Sequence, residues 1–114
     1  MIDRTRILSY AQAVAREFRP EKIILFGSCA YGTPTEDSDV DLLVVMPHRG
    51  HPAYQAAAIE LKVQAGFPLD LMVRSPERIR ERLADGDRFV REILERGSPL
   101  YESGNAWEPV EIPA

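Results

Sequence analysis

Apolar residues first recur at helical spacing between Asp3 and Phe18, where Ile7, Leu8, Ala11, Val14, Ala15 and Phe18 form one stripe. Pro20 cannot continue a helix and disfavours the helical conformation of the residue before it, so the helix ends there. Lys22 to Phe26 is a short, β-branched and apolar run that predicts a strand, and Gly27 breaks it. Ser28 to Tyr31 has room for one helical turn, and Gly32 to Asp37 is a polar, turn-rich loop. Asp39 to Met46 predicts a second strand, apolar on both faces beyond Asp41 and therefore central. After a loop over 47–52, Ala53 to Ala65 predicts a helix, with Ala56, Ala57, Ile59, Leu61 and Val63 available for packing and Gly66 at its C-terminal end. Pro68 to Val73 predicts a third strand. Ser75 is a ready N-cap and Pro76 fits the first helical position. The helical pattern that follows breaks near Asp85-Gly86-Asp87 and resumes to Arg96. Gly97 ends it, Pro99 to Glu102 is a candidate edge strand, and 103–114 reads as an irregular tail with Trp107 as its anchor.

This order predicts an α/β (α+β) fold, a small mixed β-sheet flanked by helices, within one domain spanning 1–102. The connection over 47–67 is long enough for a crossover helix, which makes the second and third strands parallel neighbours. The compact link between the first two strands predicts an antiparallel pair. Asp39, Asp41, Asp70 and the Gly27-Ser28 turn then meet at one end of the sheet.

That convergence is where the chemistry lies. Successive strand residues point to opposite faces, so Asp39 and Asp41 share a face and can grip one cation. Asp41 interrupts an apolar strand, where an unpaired carboxylate is costly, and crowded like charges repel unless a cation intervenes. The bland reading is a charged strand end, since 36–39 is plainly acidic. Gly27 lets backbone approach a ligand closely, while Ser28 adds a hydroxyl and opens a helical turn whose N–H groups attract anions. Alone, Gly-Ser after a strand is an ordinary turn; beside two carboxylates it suits magnesium-assisted chemistry on a nucleoside triphosphate. Asp70, alone, would be an edge-strand charge. In register with the other two, it can complete a two-cation site and accept a proton from an attacking hydroxyl.

Composition narrows the choice. The 114 residues include one cysteine, Cys29, which excludes an intramolecular disulfide and fits a reducing compartment. No run is long enough to span a bilayer, and residues 1–6 lack the apolar core of a secretion signal, so a cytoplasmic protein is expected. A formal net charge of −4 argues against tight binding to long nucleic acid but not against a nucleotide bridged by a metal. Arg74, Arg78, Arg80, Arg82, Arg88, Arg91 and Arg96 crowd the C-terminal third, either as a solvated helix surface with ion pairs or as a contact face for an acidic partner. His48 and His51 flank a loop and read as exposed histidines rather than a zinc pair.

The residues Gly27-Ser28-Cys29-Ala30-Tyr31-Gly32, Ser38-Asp39-Val40-Asp41-Leu42 and Asp70 resemble the signature of the DNA polymerase β-like nucleotidyltransferase superfamily, and the short length resembles its minimal nucleotidyltransferase branch. The resemblance covers roughly 3–102. It implies transfer of a nucleoside monophosphate from a triphosphate, with ATP as donor, to an acceptor hydroxyl. By this analogy Gly27 and Ser28 hold the triphosphate, Asp39 and Asp41 ligate Mg²⁺, and Asp70 helps hold a second ion and activates the acceptor. Minimal members often neutralise a HEPN-domain ribonuclease toxin by attaching AMP to a tyrosine, so the resemblance implies an antitoxin with such a partner. A non-catalytic antitoxin and a small-molecule nucleotidyltransferase are the alternatives. Tyr31 stands where many relatives carry Arg or Lys, with Arg74 or Lys22 as candidate substitutes.

Overall fold

The computed structural model describes residues 3–32, 34–35 and 37–103. The chain runs α1 (Arg4–Phe18), β1 (Lys22–Phe26), α2 (Ser28–Tyr31), β2 (Val40–Val45), α3 (Pro52–Lys62), β3 (Leu69–Arg74), α4 (Pro76–Ala84), α5 (Arg88–Arg96) and β4 (Ser98–Glu102). The tail expected beyond Ser103, including Trp107, lies outside the described residues.

Local signals account for most boundaries. The Asp3 carboxylate accepts a hydrogen bond from the Thr5 N–H and opens α1, while Arg19 turns left-handed at φ 50° and closes it before Pro20. Ser75 caps α4 by accepting from the Arg78 N–H, with Pro76 behind it. Asp87 caps α5 in the same way through the Val90 N–H, which separates the two C-terminal helices at the predicted break. One boundary moves. α3 stops at Lys62, not at Ala65, because Val63 turns extended. Val63, Ala65 and Phe67 instead pack against the core from the connection to β3, and Phe67 meets Tyr10 edge to face at 5.8 Å. Gly66, at φ 73°, serves that turn, and its carbonyl accepts from the Arg6 guanidinium. Leu61, expected to pack, is 79% exposed on the outer face of α3.

The sheet is mixed, in the order β3-β2-β1-β4. β1 pairs antiparallel with both β2 and β4, and β2 pairs parallel with β3. Every residue of β1 is buried, as is every residue of β2 except the half-buried Asp41, which is why both read as continuous apolar runs. The two sheet faces bury different helices. Ile23, Leu25, Leu42 and Val44 pack with Ile7, Ala11 and Val14 of α1 and Ile59 of α3. Ile24, Phe26, Leu43 and Val45 pack with Ile79 of α4 and Val90, Ile93 and Leu94 of α5. Gly97 closes α5 against β1. A β-carbon there would strike the Ile93 carbonyl and come within 2.6 Å of the Ile24 Cγ2. Among the described residues, no helix is long and apolar enough to cross a membrane.

Candidate active site

Strand register assembles the site. Asp41 lies opposite Asp70 in the parallel β2–β3 pair and opposite Phe26 in the antiparallel β1–β2 pair. Neighbouring strands lie roughly 4.8 Å apart, so the two aspartates are adjacent and the β1 exit stands on the other side of Asp41. The Val40 N–H donates to the Pro68 carbonyl at 2.9 Å, which ties the two strand mouths together. Alternation sets the face. Asp41 is in step with Leu43 and Val45, and Asp70 is in step with Met72, so both belong to the face covered by α4 and α5, while Asp39, just before β2, lies close enough for its charge to act on Asp41.

Gly27 leaves β1 with φ 74° and ψ −162°, a conformation almost confined to glycine. It has a second reason to be glycine: a β-carbon at this position would overlap the Asp41 carboxylate. Backbone and carboxylate are thus in direct contact, and the turn is shaped around Asp41. The Gly27 carbonyl accepts from the Ala30 and Tyr31 N–H groups at 3.0 Å, which rolls Ser28–Tyr31 into a single turn. The first N–H groups of such a turn have no carbonyl behind them and are available to an anion. Gly32, left-handed at φ 87°, closes it.

Cys29 and Ser38 complete the frame. The Cys29 thiol donates to the Asp39 carbonyl at 3.6 Å, tying the turn to the start of β2. Burial, then the charge of Asp41, push this thiol up, so it stays protonated and serves as a small packed donor rather than a nucleophile. The Ser38 hydroxyl accepts from the Thr35 N–H at 2.8 Å and bends the loop that delivers Asp39. Ser38 opens the Ser38–Leu42 motif in sequence, and its contact with Thr35 follows a Thr-x-x-Ser pattern at the loop end.

The electrostatics are those of carboxylates lacking a counterion. Burial pushes the Asp41 carboxyl above its usual range, and the charges of Asp70 and then Asp39 push it further. Among the described residues, none of the three is ion-paired to a basic side chain. Nor do any three His, Cys, Asp or Glu side chains form a ready cage for a metal ion. This donor set fits magnesium in a particular way. The ion is commonly held by one or two carboxylates, with substrate phosphates and waters completing its shell, so it suits an ion bound together with a nucleotide.

The two basic residues suggested as substitutes for a cation in the phosphate turn are in the wrong place. Lys22 and Arg74 both pair with Val45, four residues along the sheet from Asp41, or about 13 Å. Lys22 is buried and pairs with Glu102 at 3.2 Å, while Arg74 donates to the Val73 carbonyl. The guanidinium beside the turn belongs to Arg96 of α5, whose Cζ lies 4.2 Å from the centroid of the Tyr31 ring. Burial raises the Tyr31 phenol, partly offset by a hydrogen bond with the Gly27 backbone; Glu92 raises it, Arg96 lowers it and Asp41 raises it. The ring therefore spans the space between turn and helix. Of the other C-terminal arginines, Arg78, Arg82 and Arg91 pair with Glu81, Asp87 and Glu95, as a solvated helix surface with ion pairs would have them.

Comparison with known proteins points the same way. A family profile described as "Nucleotidyltransferase domain" matches residues 8–99. The chain is also 31% identical over 106 residues to "Putative protein adenylyltransferase MJ0604" of Methanocaldococcus jannaschii, an alignment that covers 89% of this chain and 100% of that protein.

Proposed function

Because the chain belongs to the nucleotidyltransferase-domain family and is a nucleotidyltransferase enzyme, we propose that it transfers AMP from ATP to a hydroxyl of a partner protein, a tyrosine of a HEPN-type toxin, and so acts as an antitoxin. The full-length match to the archaeal relative named as a protein adenylyltransferase carries the choice of a protein acceptor. The HEPN partner and the antitoxin role draw on the family resemblance of the Gly27–Gly32 and Ser38–Leu42 motifs.

In this reading each residue has a physical task. The Gly27-Ser28 turn offers backbone N–H groups and a hydroxyl to the phosphates of the donor. Asp39 and Asp41 hold the charge that anchors Mg²⁺ with the nucleotide, and Asp70 faces the acceptor. Bound Mg²⁺ ions would neutralise the phosphates and polarise the phosphoryl oxygens. Asp70, exposed at the mouth of β3, accepts the proton of the acceptor hydroxyl as its oxygen attacks the α-phosphorus. A new oxygen–phosphorus bond forms, the bond from the α-phosphorus to the bridging oxygen breaks, and pyrophosphate leaves. The half-buried position of Asp41 keeps its carboxylate partly desolvated, where opposite charge is held more strongly.

The test is incubation of the purified chain with its HEPN-type partner, Mg²⁺ and α-labelled ATP, read by label transfer and by the partner's intact mass. An AMP-sized increment, lost in a folded Asp41→Ala variant, is the expected result. Near-normal transfer by that variant would refute the assignment of the site. Inhibition of the partner without any mass change would favour the non-catalytic antitoxin.

A further inference from the structure

The phosphate-facing turn, Gly27 to Gly32, contains no basic residue, and three carboxylates stand beside it. A nucleoside triphosphate adds several more negative charges. Metal ions offset part of this, but the turn itself brings no side-chain cation to phosphates held on its N–H groups. α5 brings a protein cation, Arg96, beside the turn.

Three observations place it. Arg96 is the last residue of α5, and the next residue, Gly97, is pressed against Ile24 and the Leu25 carbonyl of β1 so closely that a β-carbon does not fit. The end of α5 is thereby fixed relative to the strand that leads into Gly27. Tyr31 packs against the same apolar cluster as α5 and lies within the field of Asp41, so its ring is on the aspartate face of the sheet. The Arg96 guanidinium sits over that ring at 4.2 Å, while its ion pair with Glu92 is loose, 3.8 Å between two exposed side chains. An aromatic face orients a guanidinium without using up its N–H donors, and an exposed pair of this kind contributes little.

Building on the nucleotidyltransferase reading, we propose that Arg96, held on the Tyr31 ring, is the positioning residue that binds the β- and γ-phosphates of the donor and makes the site select triphosphates over monophosphates. The cation that the turn lacks in sequence is supplied in space from the far end of the chain. A planar fork of donors suits bidentate contact with phosphate oxygens.

The experiment compares binding of mant-ATP and mant-AMP, each with Mg²⁺, by the full-length chain and its variants, with melting curves as a control on folding. Arg96→Gln should weaken mant-ATP by roughly 10- to 100-fold, as expected for a lost charge-assisted contact, and mant-AMP by only about 2-fold. Arg96→Lys should fall between the two, and the ATP loss in transfer assays should appear in KM more than in kcat. Adding Tyr31→Arg to Arg96→Gln returns a guanidinium to the turn and should recover most of the lost ATP affinity. Equal losses for both nucleotides, or no recovery in the double variant, would overturn the proposal. If wild-type chain binds ATP and Arg96→Gln binds it equally well, this inference fails alone; if wild-type chain binds no ATP, the nucleotide reading fails with it.

Discussion

Replacing Gly27 with alanine tests whether the turn is built around the Asp41 carboxylate. Two costs combine. The backbone at φ 74°, ψ −162° lies where a β-carbon is strained by about 1–3 kcal/mol. The added atom also overlaps the Asp41 carboxylate, so turn or carboxylate has to move. Gly32 provides the control, because it too has positive φ, 87°, but a β-carbon there meets nothing within 4 Å. Gly32→Ala should therefore cost only the left-handed penalty, about 1–2 kcal/mol. For a domain of roughly 100 residues each kcal/mol lowers the melting temperature by about 4–8 °C. Gly27→Ala should melt roughly 10–20 °C below wild type and Gly32→Ala roughly 5–10 °C below, both measured by circular dichroism. Transfer activity of folded Gly27→Ala should drop about 100-fold or more, since displacement of a reacting group by about 1 Å is enough for that. The cycle with Asp41→Ala isolates the contact: Gly27→Ala should be less damaging by about 1 kcal/mol once the carboxylate is gone. Equal damage in both backgrounds would show that the close approach of Gly27 and Asp41 has no energetic consequence.

Two further substitutions probe the site and its support. Asp41→Asn should stabilise the protein while removing activity. The folded carboxyl lies above its ordinary value of 3.8, so the folded chain holds the proton more tightly than the unfolded chain. Stability consequently falls as pH rises from about 3.8 through the folded value, and the deficit persists at neutrality. The variant, uncharged throughout, should melt above wild type at pH 7, with the advantage vanishing at acid pH where the wild-type carboxyl also carries its proton; a lower melting temperature at pH 7 would contradict the crowding of charge. Gly97→Ala should cost about 1–3 kcal/mol although its φ of −67° is ordinary, because the new atom meets Ile24 and the Leu25 carbonyl. A chemical-denaturation midpoint equal to wild type would mean that α5 docks more loosely on β1 than the structure has it.

Much of this architecture is legible from single residues because it is local. β1 from Lys22 to Phe26, the turn from Ser28 to Tyr31, the Ser75-Pro76 start of α4 and the break before α5 all follow from caps, glycines and periodicity within a few positions. The end of α3 was not legible. Val63 and Ala65 continue a plausible helical pattern, and the helix ends before them as Val63 turns extended and Val63, Ala65 and Phe67 pack against the first face. Likewise Leu8 fits the α1 stripe by spacing, yet it is exposed at 39%, and Tyr10 takes the buried position. At the site, the spacing of Asp39 and Asp41 and the crossover to β3 already bring Asp39 and Asp70 close to Asp41, and both charges act on it. Lys22 and Arg74 looked available to the phosphates in sequence, and register carried both to the opposite end of the sheet.

The amino-acid order alone determined which elements form and that the strands mix parallel and antiparallel pairing, since each depends on dihedral preference and on repeats of two or 3.6 residues. Only the tertiary structure decided that the Gly27 backbone touches the Asp41 carboxylate and that Arg96 lies on Tyr31. Those contacts join residues 14 and 65 positions apart or set one strand against another, and no local preference reaches that far. They are chosen by how the apolar faces of α4, α5 and the sheet close on one another, which is a property of the packed whole.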